Sequence, residues 1–82
     1  MLSDHEILDA LSRILRILLR DDSIVLAAKT IRAEVPGWDS LQYINFIVAV
    51  EDEFGIKFRV ADIESFVTVG DIVREIKALK GI

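Results

Sequence analysis

Apolar residues recur at Ile7, Leu8, Leu11, Ile14, Leu15, Leu18 and Leu19, a spacing that lays one buried stripe along a helix. Ser3-Asp4-His5-Glu6 stands in front of it with capping-box spacing, so the Ser3 hydroxyl and Glu6 carboxylate can each satisfy an amide at the helix start. The pattern predicts a helix from Asp4 to Arg20, with Arg13, Arg16 and Arg20 off the stripe. Residues 21 to 37 are long for a connection between helices and hold the only proline. Ile24, Val25, Leu26, Ile31 and Val35 predict a loop laid over a core and packed by its own side chains.

A second helical pattern starts at Asp39, where Asp39 and Gln42 have capping-box spacing and Pro36-Gly37 stops anything upstream. Leu41, Ile44, Ile47, Val48 and Phe54 continue it, and Gly55 ends it. The β-branched run Phe46 to Val50 suggests a strand, but flanking Gln42, Tyr43, Asn45 and Glu51 to Glu53 favour one long helix. Ile56, Phe58 and Val60 alternate with Lys57 and Arg59; a lone strand has no partner, so an extended connection is expected. Residues 61 to 66 allow one or two helical turns. Thr68 then caps a helix from Val69 to Lys80 that buries Ile72, Val73, Ile76 and Leu79, and Gly81 terminates it. The fold class expected is all-α, a small antiparallel bundle of three main helices plus one short helix, with a long first loop, in a single domain spanning residues 1–82.

Composition narrows the chemistry. With 52% apolar and 29% charged residues the chain packs a globule and is not disordered. The absence of cysteine excludes a disulfide scaffold, a thiolate metal site and a cysteine nucleophile. The longest apolar runs, Ile24 to Ala28 and Phe46 to Val50, fall far short of the ~20 residues of a membrane span. Asp4, Glu6 and Asp9 occupy the place of a signal peptide's basic region and apolar core. A cytoplasmic protein that binds no membrane is expected. The net charge of -4 belongs to the middle of the chain: Glu34, Asp39, Glu51, Asp52 and Glu53 lie between Arg32 and Lys57 with no base among them. Such a patch steers a basic partner and repels nucleic acid, or it is simply a solvated helix end.

The local feature that asks for a function is Val35-Pro36-Gly37-Trp38-Asp39-Ser40-Leu41. A turn at Pro36-Gly37 delivers Ser40 to the first turn of the second helix, where amides are unpaired and the helix dipole is positive. A phosphate on that hydroxyl would be stabilised there. A nucleophilic serine would need a base, and the only histidine, His5, lies in the capping turn of the first helix. The segment is not G-x-S-x-G either. Ser40 reads as a group that another enzyme modifies.

Gly37-Trp38-Asp39-Ser40-Leu41, a helix ending in Glu51-Asp52-Glu53-Phe54-Gly55, and the later Phe66-Val67-Thr68-Val69 together resemble the acyl carrier proteins over nearly the whole chain. The resemblance implies a carrier rather than an enzyme: a discrete protein whose Ser40 receives 4'-phosphopantetheine from coenzyme A, with an acyl, polyketide or aminoacyl cargo held on the arm's thiol. Asp39 matches the acid before the attachment serine, and Leu41 the apolar residue that modifying and partner enzymes contact. Glu51, Asp52 and Glu53 fall where the family places acids for basic partner surfaces. The partners implied are a phosphopantetheinyl transferase and the loading ligases and synthases of a pathway, met in turn by a monomer. Trp38 stays open between a partner contact, a cover for the arm and packing against the long loop. Phe46, Phe54, Phe58 and Phe66 are expected in the core, some of them lining an acyl pocket.

Two departures from the family pattern favour a specialised pathway over general fatty-acid synthesis. Gln42, Tyr43 and Asn45 replace acids on the second helix, and Lys57 and Arg59 precede the third. The competing expectation is an unmodified helical interaction module that docks through the acidic Glu51 to Glu53 end. His5 with Asp4 and Asp9 reads as solvated polar surface and not a metal site, Asp21-Asp22-Ser23 as a helix-stopping turn, and Arg13, Arg16 and Arg20 as no nucleic-acid stripe.

Overall fold

The computed structural model describes residues 2–82 as α1 (Asp4–Leu19), a 3-10 helix (Arg32–Glu34), α2 (Ser40–Phe54), α3 (Val60–Ser65) and α4 (Val69–Lys80). The architecture is the all-α antiparallel bundle that the periodicity predicts. Among the described residues the only extended pairing is an isolated bridge between Ile31 and Thr68.

Local chemistry sets the helix limits. At α1 the Ser3 hydroxyl accepts the Glu6 N–H at 3.1 Å and the Glu6 carboxylate accepts the Ser3 N–H at 3.0 Å, a reciprocal box. Arg20, expected as the last helical residue, is instead the cap: it turns left-handed at φ 54° and its N–H reaches the Arg16 carbonyl. Asp39 caps α2 through Gln42, but the return half of the expected box is missing, and Gln42 accepts from the Asn45 amide instead. Gly55 ends α2 at φ 65°, a conformation that costs glycine nothing. The short helix begins one residue earlier than expected, at Val60.

The core joins Ile7, Leu11, Ile14 and Leu15 of α1 to Phe46, Ile47, Val50 and Phe54 of α2 and Val69, Ile72, Val73 and Ile76 of α4. Leu79, expected among them, is 44% exposed. On α2 the helical pattern holds but not all of it points inward: Leu41, Ile44 and Val48 share an exposed face. Of the extended connection, Phe58 is buried and Val60 is exposed at the start of α3.

The long loop is covered as expected by Ile24 and Leu26, whereas Val25 and Ile31 turn to solvent. Hydrogen bonds hold it as well. The buried Ser12 hydroxyl accepts the Leu26 N–H at 2.9 Å, and Arg16 donates to the Ile24 carbonyl at 2.6 Å. At the other side, the first amides of α4, which a helix leaves without internal partners, donate to loop carbonyls: Val69 to Thr30 at 2.9 Å and Gly70 to Ala28 at 2.8 Å. Gly70 is what permits the approach, since a Cβ there would come within 2.9 Å of the Ala28 carbonyl oxygen. Thr68 and Asp71 complete the α4 cap, with the Asp71 carboxylate accepting the Val67 and Thr68 amides at 2.8 and 3.0 Å.

Two expectations follow for stability. Gly70→Ala gains about 1 kcal/mol of helix propensity but forces the loop off α4, and a net loss of roughly 1–3 kcal/mol is expected in urea denaturation. The hydrogen bonds from Thr68 and then Val67 hold the Asp71 carboxyl below its usual range. A carboxyl lowered on folding stabilises above its unfolded pKa of ~3.9 and loses that contribution as pH falls through the folded value. The denaturation midpoint should therefore stay level from neutrality to about pH 5 and drop below about pH 4, and Asp71→Asn should flatten part of that drop.

Candidate functional site: an exposed serine beside a cleft

The sequence Val35-Pro36-Gly37-Trp38 closes a turn in which the Trp38 N–H donates to the Val35 carbonyl at 3.2 Å and Gly37 takes φ 86°. Proline second and a positive-φ glycine third is the residue order such a turn requires. The turn drives Trp38 inward, where it is 5% exposed and meets Phe46 edge-on at 5.0 Å between ring centroids. Trp38 therefore packs against α2, at Phe46 and beside Tyr43, where packing against the long loop was one of the three expectations. Two residues on, Ser40 opens α2 and is exposed to solvent.

Asp39 shapes the helix end around Ser40. Its carboxylate accepts the Gln42 N–H at 2.9 Å, and its carbonyl accepts the Tyr43 N–H at 2.8 Å. The amides of Ser40 and Leu41 are left without intrahelical partners, facing the positive end of the helix dipole. Leu41, next in the chain, is 68% exposed.

Ser40 borders a cleft of about 750 Å³ between the long loop, α2, α3 and the start of α4. Trp38, Tyr43, Ile63, Phe66 and Val69 contribute its apolar walls. Tyr43 braces it: the phenol donates to the Ile63 carbonyl at 2.8 Å, and the Arg32 guanidinium lies 5.1 Å from the ring centroid. Burial pushes the Tyr43 pKa up, with Arg32 acting against it. Phe66 packs edge-on against buried Phe58 at 5.5 Å, so of the expected phenylalanines Phe66 reaches the cleft while Phe46, Phe54 and Phe58 belong to the core. No histidine lines the cleft; His5 faces Asp9 at 3.4 Å on α1, with both side chains exposed.

The acidic end of α2 is partly occupied by the protein itself. Glu51 accepts the Phe58 N–H at 2.8 Å and keeps a side chain only 11% exposed beside Lys57. Glu53 pairs with Arg13 at 3.0 Å, while Asp52 is exposed. Sequence reasoning overlooked Arg32 and the 3-10 helix that carries it; Arg32 stood out only as the edge of a charge run, and nothing local forecasts the fold that brings it over Tyr43.

Ser40 is thus an exposed hydroxyl at a helix start with a cleft alongside and no histidine near it. The family model described as the phosphopantetheine attachment site matches residues 5–76. The acyl carrier protein of Thermotoga maritima is 44% identical over 45 residues, 55% of this chain and 56% of that protein, so the match spans about half the relative's length. The solution NMR structure of the holo acyl carrier protein from Geobacter metallireducens superposes with a TM-score of 0.83 at 36% identity, over 90% of this chain and 85% of that one. The chain belongs to the acyl carrier protein family, whose members are carriers and not catalysts and whose prosthetic group is phosphopantetheine. Among the described residues no helix is long and apolar enough to cross a membrane.

Trp38 also brings a polar atom inside: its Nε1–H is buried with no acceptor. An orphaned donor of this kind costs about 1–3 kcal/mol. Trp38→Phe, which keeps a ring and removes the donor, is expected to leave stability within about 1 kcal/mol of wild type, whereas Trp38→Ala should lose about 3–5 kcal/mol in thermal or urea unfolding.

Proposed function

We propose that Ser40 carries 4'-phosphopantetheine and that the protein shuttles acyl, polyketide or aminoacyl intermediates between the enzymes of a cytoplasmic biosynthetic pathway, as a monomer. The observation that carries this reading is the exposed Ser40 hydroxyl at the first turn of α2, beside a cleft of about 750 Å³. The residues fit the group. Two unpaired amides and a helix dipole favour the phosphodiester at Ser40, the hydroxyl is open to a modifying enzyme, and the cleft has room for what the arm bears. A thiol at the end of the arm supplies the thioester chemistry that a chain without cysteine lacks.

In the modification itself the Ser40 oxygen forms a bond to the pantetheine-side phosphorus of coenzyme A, in the active site of a phosphopantetheinyl transferase that uses magnesium. The bond from that phosphorus to the bridging oxygen breaks, adenosine bisphosphate leaves, and the serine proton passes to the transferase. Asp39 contributes by holding the start of α2 rigid, which fixes the direction of the Ser40 side chain. Leu41, exposed next to Ser40, gives the transferase and later partners an apolar contact, and Asp52 and Glu53 offer charge to basic docking surfaces.

A specialised pathway is favoured over general fatty-acid synthesis by the character of α2. Gln42, Tyr43 and Asn45 are uncharged, Glu51 is committed to the Phe58 amide, and the exposed face runs through Leu41, Ile44 and Val48. Partners that rely on a continuous acidic helix find little of it here.

The pure protein incubated with a broad-specificity transferase, coenzyme A and magnesium should gain the mass of one phosphopantetheine, and Ser40→Ala should gain none. No mass gain under conditions that modify a control carrier overturns the reading. Leu41→Ala should keep the fold, because the side chain is exposed, and lower the kcat/KM of modification roughly fivefold, the loss of about 1 kcal/mol at an interface contact.

A further inference from the structure

Arg32 is the only cation among the described residues that line the cleft bordered by Ser40. Its guanidinium lies 5.1 Å from the Tyr43 ring centroid, and Tyr43 follows Ser40 by three residues on α2. Residues so spaced share a helix face, with β-carbons about 5–6 Å apart. The cation is therefore held over the side chain next to Ser40 along that face. Its support is the 3-10 helix, whose start is tied to α4 by the Ile31–Thr68 bridge. The same short helix disposes of the nearest acid in sequence, because the Glu34 carboxylate turns back to accept the Ile31 N–H at 2.9 Å. No ion pair among the described residues includes Arg32. The arginine side chains that donate hydrogen bonds are those of Arg13, Arg16, Arg59 and Arg74. An arginine stacked on a ring uses the face of its guanidinium and leaves the N–H edge free, and that edge is a fork that matches phosphate oxygens.

We propose that Arg32 is the counter-ion of the phosphodiester at Ser40, its guanidinium edge donating to the non-bridging phosphate oxygens while its face pivots on the Tyr43 ring. The proposal rests on the phosphopantetheine reading of Ser40 and adds a positioning residue for the arm. A phosphodiester carries a full negative charge at neutral pH. The free amides and dipole at the start of α2 offer it partial positive charge, and Arg32 supplies the only full one lining the cleft. That charge also offsets a repulsion: the Asp39 carboxylate, committed to the Gln42 N–H, stands in the chain directly before the modified serine. Glu64 lines the same cleft and is the acid with which the phosphate would compete, and it makes no ion pair with Arg32. Arg32 is exposed, so its long side chain can turn toward Ser40 without moving the backbone. A contact at the surface has the worth of an exposed charge pair, enough to bias the first segment of the arm toward the 3-10 helix and small enough for a partner to displace.

The test compares the unmodified protein with protein loaded by the transferase and coenzyme A, each loading verified by mass. In a proton–nitrogen correlation spectrum of the labelled wild type, the Arg32 Nε–H, assigned along its own side chain, should move downfield on loading and exchange more slowly with water. The Nε–H of Arg13, which pairs with Glu53 at the other end of α2, should stay in place. A second readout is urea unfolding of four species, the unmodified and loaded forms of wild type and of Arg32→Gln. Attachment of the arm should lower the unfolding equilibrium constant roughly threefold more in wild type than in Arg32→Gln, the worth of one exposed charge pair. That difference should close near 1 M salt, where the screening length is about 3 Å. A structural role on Tyr43 alone would make Arg32→Gln cost the same in both forms. An Arg32 Nε–H that loading leaves in place, or an arm that changes the stability of both proteins by the same factor, would overturn the proposal. Failure to gain mass at Ser40 is a different result: it removes the phosphopantetheine reading and the contact with it, whereas mass gain without a shift removes the contact alone. The spectral comparison uses wild type only, so it decides the matter even if Arg32→Gln does not fold.

Discussion

The burial of Trp38 against Phe46 is the constraint from which the site follows. A side chain of this size gains several kcal/mol by leaving water, of order 3–5 by truncation measures, and it can do so here only because Pro36 and Gly37 reverse the chain just ahead of it. Once the indole is fixed, Asp39 and Ser40 have little freedom: the carboxylate of the first closes the helix end, and the hydroxyl of the second, one step further around, emerges into solvent. Exposure of the serine is thus a consequence of core packing. An aromatic anchor, a capping acid and an exposed hydroxyl stand in consecutive positions.

The long loop serves the same end from the other side. Its Leu26 N–H donates to the Ser12 hydroxyl of α1 and its Ala28 and Thr30 carbonyls accept the first amides of α4, so a segment that would otherwise cost considerable ordering entropy is fixed at both ends. This arrangement also supplies the orphan amides of α4 with acceptors, and so the loop and the helix stabilise each other. The result is a rigid wall. Thr30, Ile31, Thr68 and Val69, which meet along this seam, all border the cleft beside Ser40.

How much of this could be read from the chain depends on the range of the interactions involved. Caps and stops are local, and Ser3 with Glu6, Asp39, Gly55, Thr68 and Gly81 set helix limits within a residue or so of those their sequence context predicts. The stripe of α1 was equally plain, because one face of a regular helix must be apolar to pack. What escaped detection required distant partners. Leu79 has the right period to be buried but is 44% exposed, and Val25 lies between two buried loop residues yet points the other way. The 3-10 helix at Arg32–Glu34 has its own box, in which Glu34 accepts the Ile31 N–H at 2.9 Å, but in a loop of this length that short signal does not stand out. The position of Ser40 was legible from Pro-Gly-Trp-Asp-Ser-Leu, whereas the cleft it borders was not, because its walls come from three separate stretches of chain.

Charge shows the same division between composition and structure. The acids of residues 51 to 53 look like one patch in the sequence, but the fold assigns them different tasks. Glu51 turns back to cap the amide of Phe58, which helps direct the chain from α2 into α3, and Glu53 ties α2 to Arg13 of α1. An exposed ion pair such as the second is worth little to stability and can be released to a partner, while Glu51 cannot leave its amide without uncovering a partly buried donor. Of these three acids Asp52 is exposed, and the exposed length of α2 between it and Ser40 is apolar at Leu41, Ile44 and Val48. Any contact made along that face would depend on removing hydrocarbon surface from water, which salt does not screen, whereas the charge at the end of the helix acts at longer range and is screened.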